Sequence, residues 1–113
     1  MWPATKSSRP KRNALDDRPI RAPRAQLERL GDGGARLKLP VRAGWLVRAG
    51  ATRTFELDEI GLLVWDACDG KTSVEQIIRG VADRYRLNLR EAEVATLKFM
   101  DMLGRRGLIG IAS

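Results

Sequence analysis

Leu57 and Asp58 put the end of a strand and the start of a helix on adjacent residues. That junction constrains the fold of this chain more than any other feature. The run from Phe55 to Gly70, FELDEIGLLVWDACDG, leaves no loop between the two elements, so they must share a corner and bury facing surfaces. Two more helix starts follow before the chain closes with GRRGLIGI at residues 104–111.

Asp58 is an N-cap residue type, and Ile60, Leu63, Val64 and Ala67 recur behind it at helical spacing as far as Cys68. Asp69-Gly70-Lys71 breaks this first helix. Thr72 and Glu75 read as a capping box opening a second helix over 73–86, with a core stripe of Val74, Ile77, Ile78, Val81 and Tyr85. Asn88 and Glu91 repeat the signal for a third helix over 89–105, whose stripe is Ala92, Thr96, Phe99 and Leu103. Gly107 is a natural residue to end it, and Leu108 to Ile111 suit a short terminal strand.

Upstream the period changes from helical to alternating. Ala25–Leu30 and Ala35–Val41 flank Gly31-Asp32-Gly33-Gly34, a hairpin turn, and Leu37 and Leu39 alternate with Arg36 and Lys38. Pro40 ends that strand or sets it at an edge. Arg42–Ala51 reads as a loop carrying Trp45, Leu46 and Val47. A third strand follows at Thr52–Leu57, with Phe55 and Leu57 on one face and Thr54 and Glu56 on the other. Strands followed by helices predict an α+β fold, a three-stranded antiparallel sheet and then a three-helix bundle.

At 113 residues the chain suffices for one domain. Its net charge of +7 is uneven: residues 1–23 hold six basic residues against Asp16 and Asp17, more than half of the excess. Rich in proline and charge, that segment reads as a mobile basic tail, and 24–113 as the folded domain. No apolar run is long enough to span a bilayer and no signal core opens the chain, so a cytoplasmic location is expected.

Catalysis is not expected. Histidine is absent, which removes the usual general base and the commonest metal ligand. Cys68, the single cysteine, lies on an apolar helix and reads as packing. Asp58, Glu59, Asp66 and Asp69 read as capping and solvated groups, and Gly31–Gly34 lacks the lysine of a phosphate loop. No catalytic residue, metal set or cofactor site is assigned. Nucleic-acid binding is disfavoured at the start of the third helix, where Glu91 and Glu93 accompany Arg90.

The ordered series Leu57-Asp58-Glu59-Ile60-Gly61, Val64-Trp65, Asp69-Gly70, Thr72-Ser73-Val74, Tyr85, Leu103 and Arg106-Gly107-Leu108 resembles the PqqD-like family. This is the type named for pyrroloquinoline quinone biosynthesis protein D, which recurs as the recognition element of ribosomally made, post-translationally modified peptides (RiPPs). The resemblance covers residues 52–111 well and 24–41 loosely. It implies a winged-helix-like domain that binds the leader of a precursor peptide as an added strand. The guest would lie along the third strand, against the third helix, and be presented to a modifying enzyme, a radical enzyme being one candidate class.

The residues offer their own support. Val94 and Leu97 fall away from the stripe of the third helix, beside Lys98 and Asp101, and back-face apolar side chains call for a second partner. Strand addition on a sheet edge would supply one. The expected peptide-binding set is therefore Thr52, Arg53, Thr54, Phe55, Glu56 and Leu57 on the strand, with Val94, Leu97, Lys98 and Asp101 on the helix. A winged-helix nucleic-acid-binding protein and a generic protein–protein adaptor are the alternatives. Monomer and homodimer both remain compatible with the sequence.

Overall fold

The computed structural model describes residues 14–40 and 52–112. The Trp45 loop and the first part of the basic tail lie outside the described residues. Five strands and three helices follow a short 3-10 turn at Ala14–Asp16: β1 Arg18–Arg21, β2 Gln26–Arg29, β3 Ala35–Pro40, β4 Thr52–Leu57, α1 Glu59–Ala67, α2 Val74–Tyr85, α3 Leu89–Arg105 and β5 Ile109–Ala112. β2, β3 and β4 form the expected three-stranded antiparallel sheet, in that order, and the three helices follow it. None of the described helices is long and apolar enough to cross a membrane.

Side chains set the helix boundaries. Asp58 caps α1, its Oδ1 accepting from the Gly61 N–H at 2.8 Å. Asn88 and Glu91 close the expected capping box on α3. The box on α2 lies one residue later than the sequence suggests, on Ser73 and Gln76. Thr72 is engaged elsewhere: its N–H and hydroxyl both donate to the Asp69 carboxylate, at 2.8 and 3.1 Å. That carboxylate also takes the Lys71 N–H, and these bonds hold its pKa below the ordinary value. Gly107 ends the helical region at φ 72°, a left-handed conformation that favours glycine.

The core joins Leu37 and Leu57 of the sheet to Val64, Ile77, Val81, Ala92, Leu103 and Leu108. On α1 the buried residues are Gly61, Val64 and Trp65, so the stripe is rotated from the expected Ile60/Leu63/Val64/Ala67 set. The cause is a close approach by α3: a Cβ on Gly61 would stand 2.7 Å from Cε1 of Phe99. Trp65 is core, and Cys68 is core as the sequence suggests.

The segment before residue 23 departs from the expected tail. β1 pairs antiparallel with β5, from Arg18↔Ala112 to Arg21↔Ile109. Four backbone bonds tie it to the helical half: Val74 N–H to Asp17 O at 2.9 Å, Gly70 N–H to Pro19 O at 2.8 Å, Arg21 N–H to Cys68 O at 3.1 Å, and Ala22 N–H to Leu108 O at 2.8 Å. The Arg21 guanidinium also donates to the carbonyls of Trp65 and Asp66 at the end of α1. Pro19 is fully buried and contributes a carbonyl, which requires no N–H. Residues 14–23 thus belong to the fold. Their composition conceals this because the strand is short and its contribution is mostly backbone.

Candidate functional site: an open strand edge beside α3

β4 pairs with β3 from Ala35↔Leu57 to Pro40↔Thr52, and among the described residues no strand lies on its other side. Residues opposite one another share a face. Arg53, Phe55 and Leu57 therefore share the inner face with Leu39, Leu37 and Ala35, while Thr52, Thr54 and Glu56 face outward.

The hydrogen-bond phase of the edge follows from the hairpin. Leu30 N–H donates to Gly34 O at 2.9 Å, which makes Leu30/Gly34 a hydrogen-bonded pair. Bonded and non-bonded pairs alternate along antiparallel strands. The groups of Gly34, Arg36 and Lys38 then turn toward β2, and those of Ala35, Leu37 and Leu39 toward Leu57, Phe55 and Arg53. This leaves the N–H and C=O of Thr52, Thr54 and Glu56 directed at the open edge.

α3 approaches β4 at its C-terminal end and the start of α1 at its N-terminal end. Near its end the Arg106 guanidinium stands 5.0 Å from the Phe55 ring centroid. Toward its start, α3 and the first turn of α1 enclose an open cavity of about 650 Å³. Ile60, Val94, Ala95, Phe99 and Met102 form its apolar lining, and Asp58, Arg90, Glu91 and Lys98 its charged rim. Asp58 and Glu91 spend carboxylate oxygens on helix caps, and Arg90 pairs with Glu93 at 3.8 Å.

Of the helix residues expected at the site, Val94 and Lys98 line the cavity. Leu97 and Asp101 do not. Leu97 is an exposed apolar residue, 40% accessible, on the other flank of α3, and Asp101 pairs with Arg105 at 3.1 Å. Sequence reasoning missed Asp58, Ile60, Arg90, Glu91, Ala95, Phe99 and Met102. The available signal is the row Glu91, Ala95, Lys98 and Met102, spaced i, i+4, i+7 and i+11 along one flank between the core stripe and the back of the helix.

A second cavity, about 360 Å³, adjoins the Leu57 end of β4 and is lined by Asp32, Glu56, Asp58 and Glu59 among others. Among the described residues no group of three or more histidine, cysteine or acidic side chains is placed to hold a metal ion. Cys68 is buried, its thiol donating to Val64 O at 3.2 Å; burial pushes its pKa up to about 12, with nearby Arg21 acting in the opposite direction. A thiol so held is not an available nucleophile.

These features define a small α+β domain with, among its described residues, an unpaired strand edge on β4 and an apolar cavity between α3 and the first turn of α1. The chain belongs to the PqqD family: the profile described as Coenzyme PQQ synthesis protein D (PqqD) matches residues 44–109, more than half of its length. A solved structure described as TbiB1 in complex with the TbiA(beta) leader peptide has a similar fold. Its TM-score is 0.60 at 17% identity, over 80% of this chain and 93% of that one. No curated protein sequence matches the chain.

Proposed function

We propose that this domain captures the leader segment of a ribosomally made precursor peptide by strand addition to β4 and presents it to a modifying enzyme. The proposal rests on the unpaired edge of β4, at Thr52, Thr54 and Glu56, and on the apolar cavity that begins at Asp58 just past its end and runs over Val94, Ala95 and Met102. An added strand satisfies the first and fills the second. Membership of the PqqD family, and a fold shared with a protein solved with a leader peptide, support the same reading. In this role the protein is a cytoplasmic adaptor that binds; the chemistry belongs to its partner enzyme.

The test is titration of the full chain with synthetic leader segments of the short peptides encoded beside its gene, followed by fluorescence anisotropy. Saturable binding that Ala95→Glu weakens at least tenfold, with the melting temperature unchanged, is the expected result. Absence of binding to any such segment, together with tight sequence-dependent binding of DNA at physiological salt, would replace peptide capture by the nucleic-acid alternative.

A further inference from the structure

β1 and β5 make a second, two-stranded sheet whose bonding pattern leaves one edge open. Ala22 N–H donates to Leu108 O at 2.8 Å, continuing the register of β1 on β5 as a hydrogen-bonded pair. Alternation then turns the groups of Leu108, Gly110 and Ala112 toward β1. The far side of β1 agrees, because Asp17, Pro19 and Arg21 spend their backbone groups on Val74, Gly70 and Cys68. Among the described residues this leaves the outer edge of β5, where the N–H and C=O of Ile109 and Ile111 point away from β1 and meet no strand. From Leu108 to Ala112 there is neither charge nor proline, the usual protections of an exposed edge. Ile111 is 50% accessible, on the face where Pro19 opposite it is buried.

We infer that this edge pairs with the same edge of a second copy, antiparallel about a two-fold axis at Gly110. The phase of the bonds fits that register. Ile109 of each copy stands opposite Ile111 of the other, and both direct their backbone groups at the partner, so each pair exchanges both of its bonds. The isoleucines of the two copies then share one face across the axis, which covers the exposed side of Ile111 with apolar surface. Gly110 meets its own copy in the close, non-hydrogen-bonded position and brings no side chain into it. A two-fold contact sets each charge near the axis against its own copy, and β5 has none to oppose. An unrelated strand would gain the backbone bonds, whereas a second copy also supplies the matching isoleucines by symmetry. With β5 only four residues long, the contact falls short of the roughly 1,200 Å² of a stable interface, so the dimer is weak. β4 lies in the other sheet, and this inference stands apart from peptide capture.

The experiment is sedimentation equilibrium of the full chain from about 10 μM to about 1 mM, beside the variants Ile111→Lys and Ile111→Pro. The first sets a charge among the isoleucines, and the second removes an N–H that β1 does not use. Ile111 is half exposed, and an unchanged Tm verifies that each variant folds. The expected result is a reversible monomer–dimer equilibrium whose Kd rises at least tenfold in both. Register is read with Gly110→Cys, where a Cβ meets nothing within 4 Å. The two Cα atoms would lie about 4.5 Å apart, close enough for a disulfide. Gly110→Cys should therefore crosslink at least tenfold faster than Gly104→Cys, an equally open position on α3, while Cys68 stays buried. A monomer throughout the range, or a dimer that both Ile111 variants leave intact, overturns the inference. So does crosslinking at Gly110 no faster than at Gly104. A monomer whose binding of a leader peptide is weakened by Ile111→Lys would assign the edge to the peptide instead.

Discussion

Thr96 and Gly61 show what single residues contribute here. Thr96 is fully buried in α3, and its hydroxyl has no hydrogen-bond partner among the described residues. A buried unpaired hydroxyl costs free energy that an apolar group of the same shape does not. Thr96→Val is therefore expected to stabilise the protein by about 1 kcal/mol in urea unfolding. Gly61 admits the Phe99 ring so closely that Gly61→Ala must displace it, at a cost of about 1–3 kcal/mol read as a lowered Tm. Cys68 gives a pH dependence. Its pKa is about 12 in the fold against an ordinary 9.0, so burial of the neutral thiol stabilises the protein below pH 9. That contribution is lost as pH rises from 9 toward 12. Wild-type stability should fall more steeply across this window than that of Cys68→Ala, measured by urea unfolding at each pH. The sequence identified Gly61 and Thr96 as helical, and Thr96 and Cys68 as core; Cys68, expected on the helix, is instead the residue that caps the end of α1. The approach of Phe99 to Gly61 depends on how α1 and α3 cross, which no local pattern encodes.

At the scale of elements, β1 is the unexpected component. It carries four residues, Arg-Pro-Ile-Arg, with no apolar alternation, yet it bonds to the end of α1 and the Asp69–Gly70 corner while pairing with β5, and Asp17 just before it bonds to the start of α2. A chain truncated by residues 1–13 supplies the reference urea midpoint. Removing 1–23 should cost at least about 2 kcal/mol, since several backbone bonds of roughly 1 kcal/mol each are lost together. Equal midpoints for the two truncations would show that β1 contributes nothing. The helices were far more legible. Their caps are local hydrogen bonds between residues three apart, and Asp58, Asn88 and Glu91 announce them directly. Thr72 misled because Asp69, three residues earlier, competes for it.

For the molecule as a whole, the proposed site draws on two elements distant in sequence. In the capture proposed above, β4 supplies backbone groups and α3 the apolar cavity. The two flanks of α3 should therefore answer differently: Ala95→Glu should weaken capture of a leader peptide at least tenfold, and Leu97→Asp less than twofold, in the same anisotropy titration. Equal losses would place the groove on the back of the helix instead. Amino-acid order alone determined the α+β class, the three capped helices, the strand-to-helix corner at Leu57-Asp58 and the solitary, buried cysteine. All of these depend on spacing within a few residues, where side chain and backbone meet without reference to the rest of the chain. Only the tertiary structure decided that residues 18–21 complete the fold, that among the described residues no strand pairs beyond β4, and that Ala95 and Met102 line the cavity while Leu97 does not. Those outcomes rest on long-range pairing and on the rotation of one helix against another. A rotation of a fraction of a turn exchanges which side chains share a cavity, yet leaves every local signal unchanged.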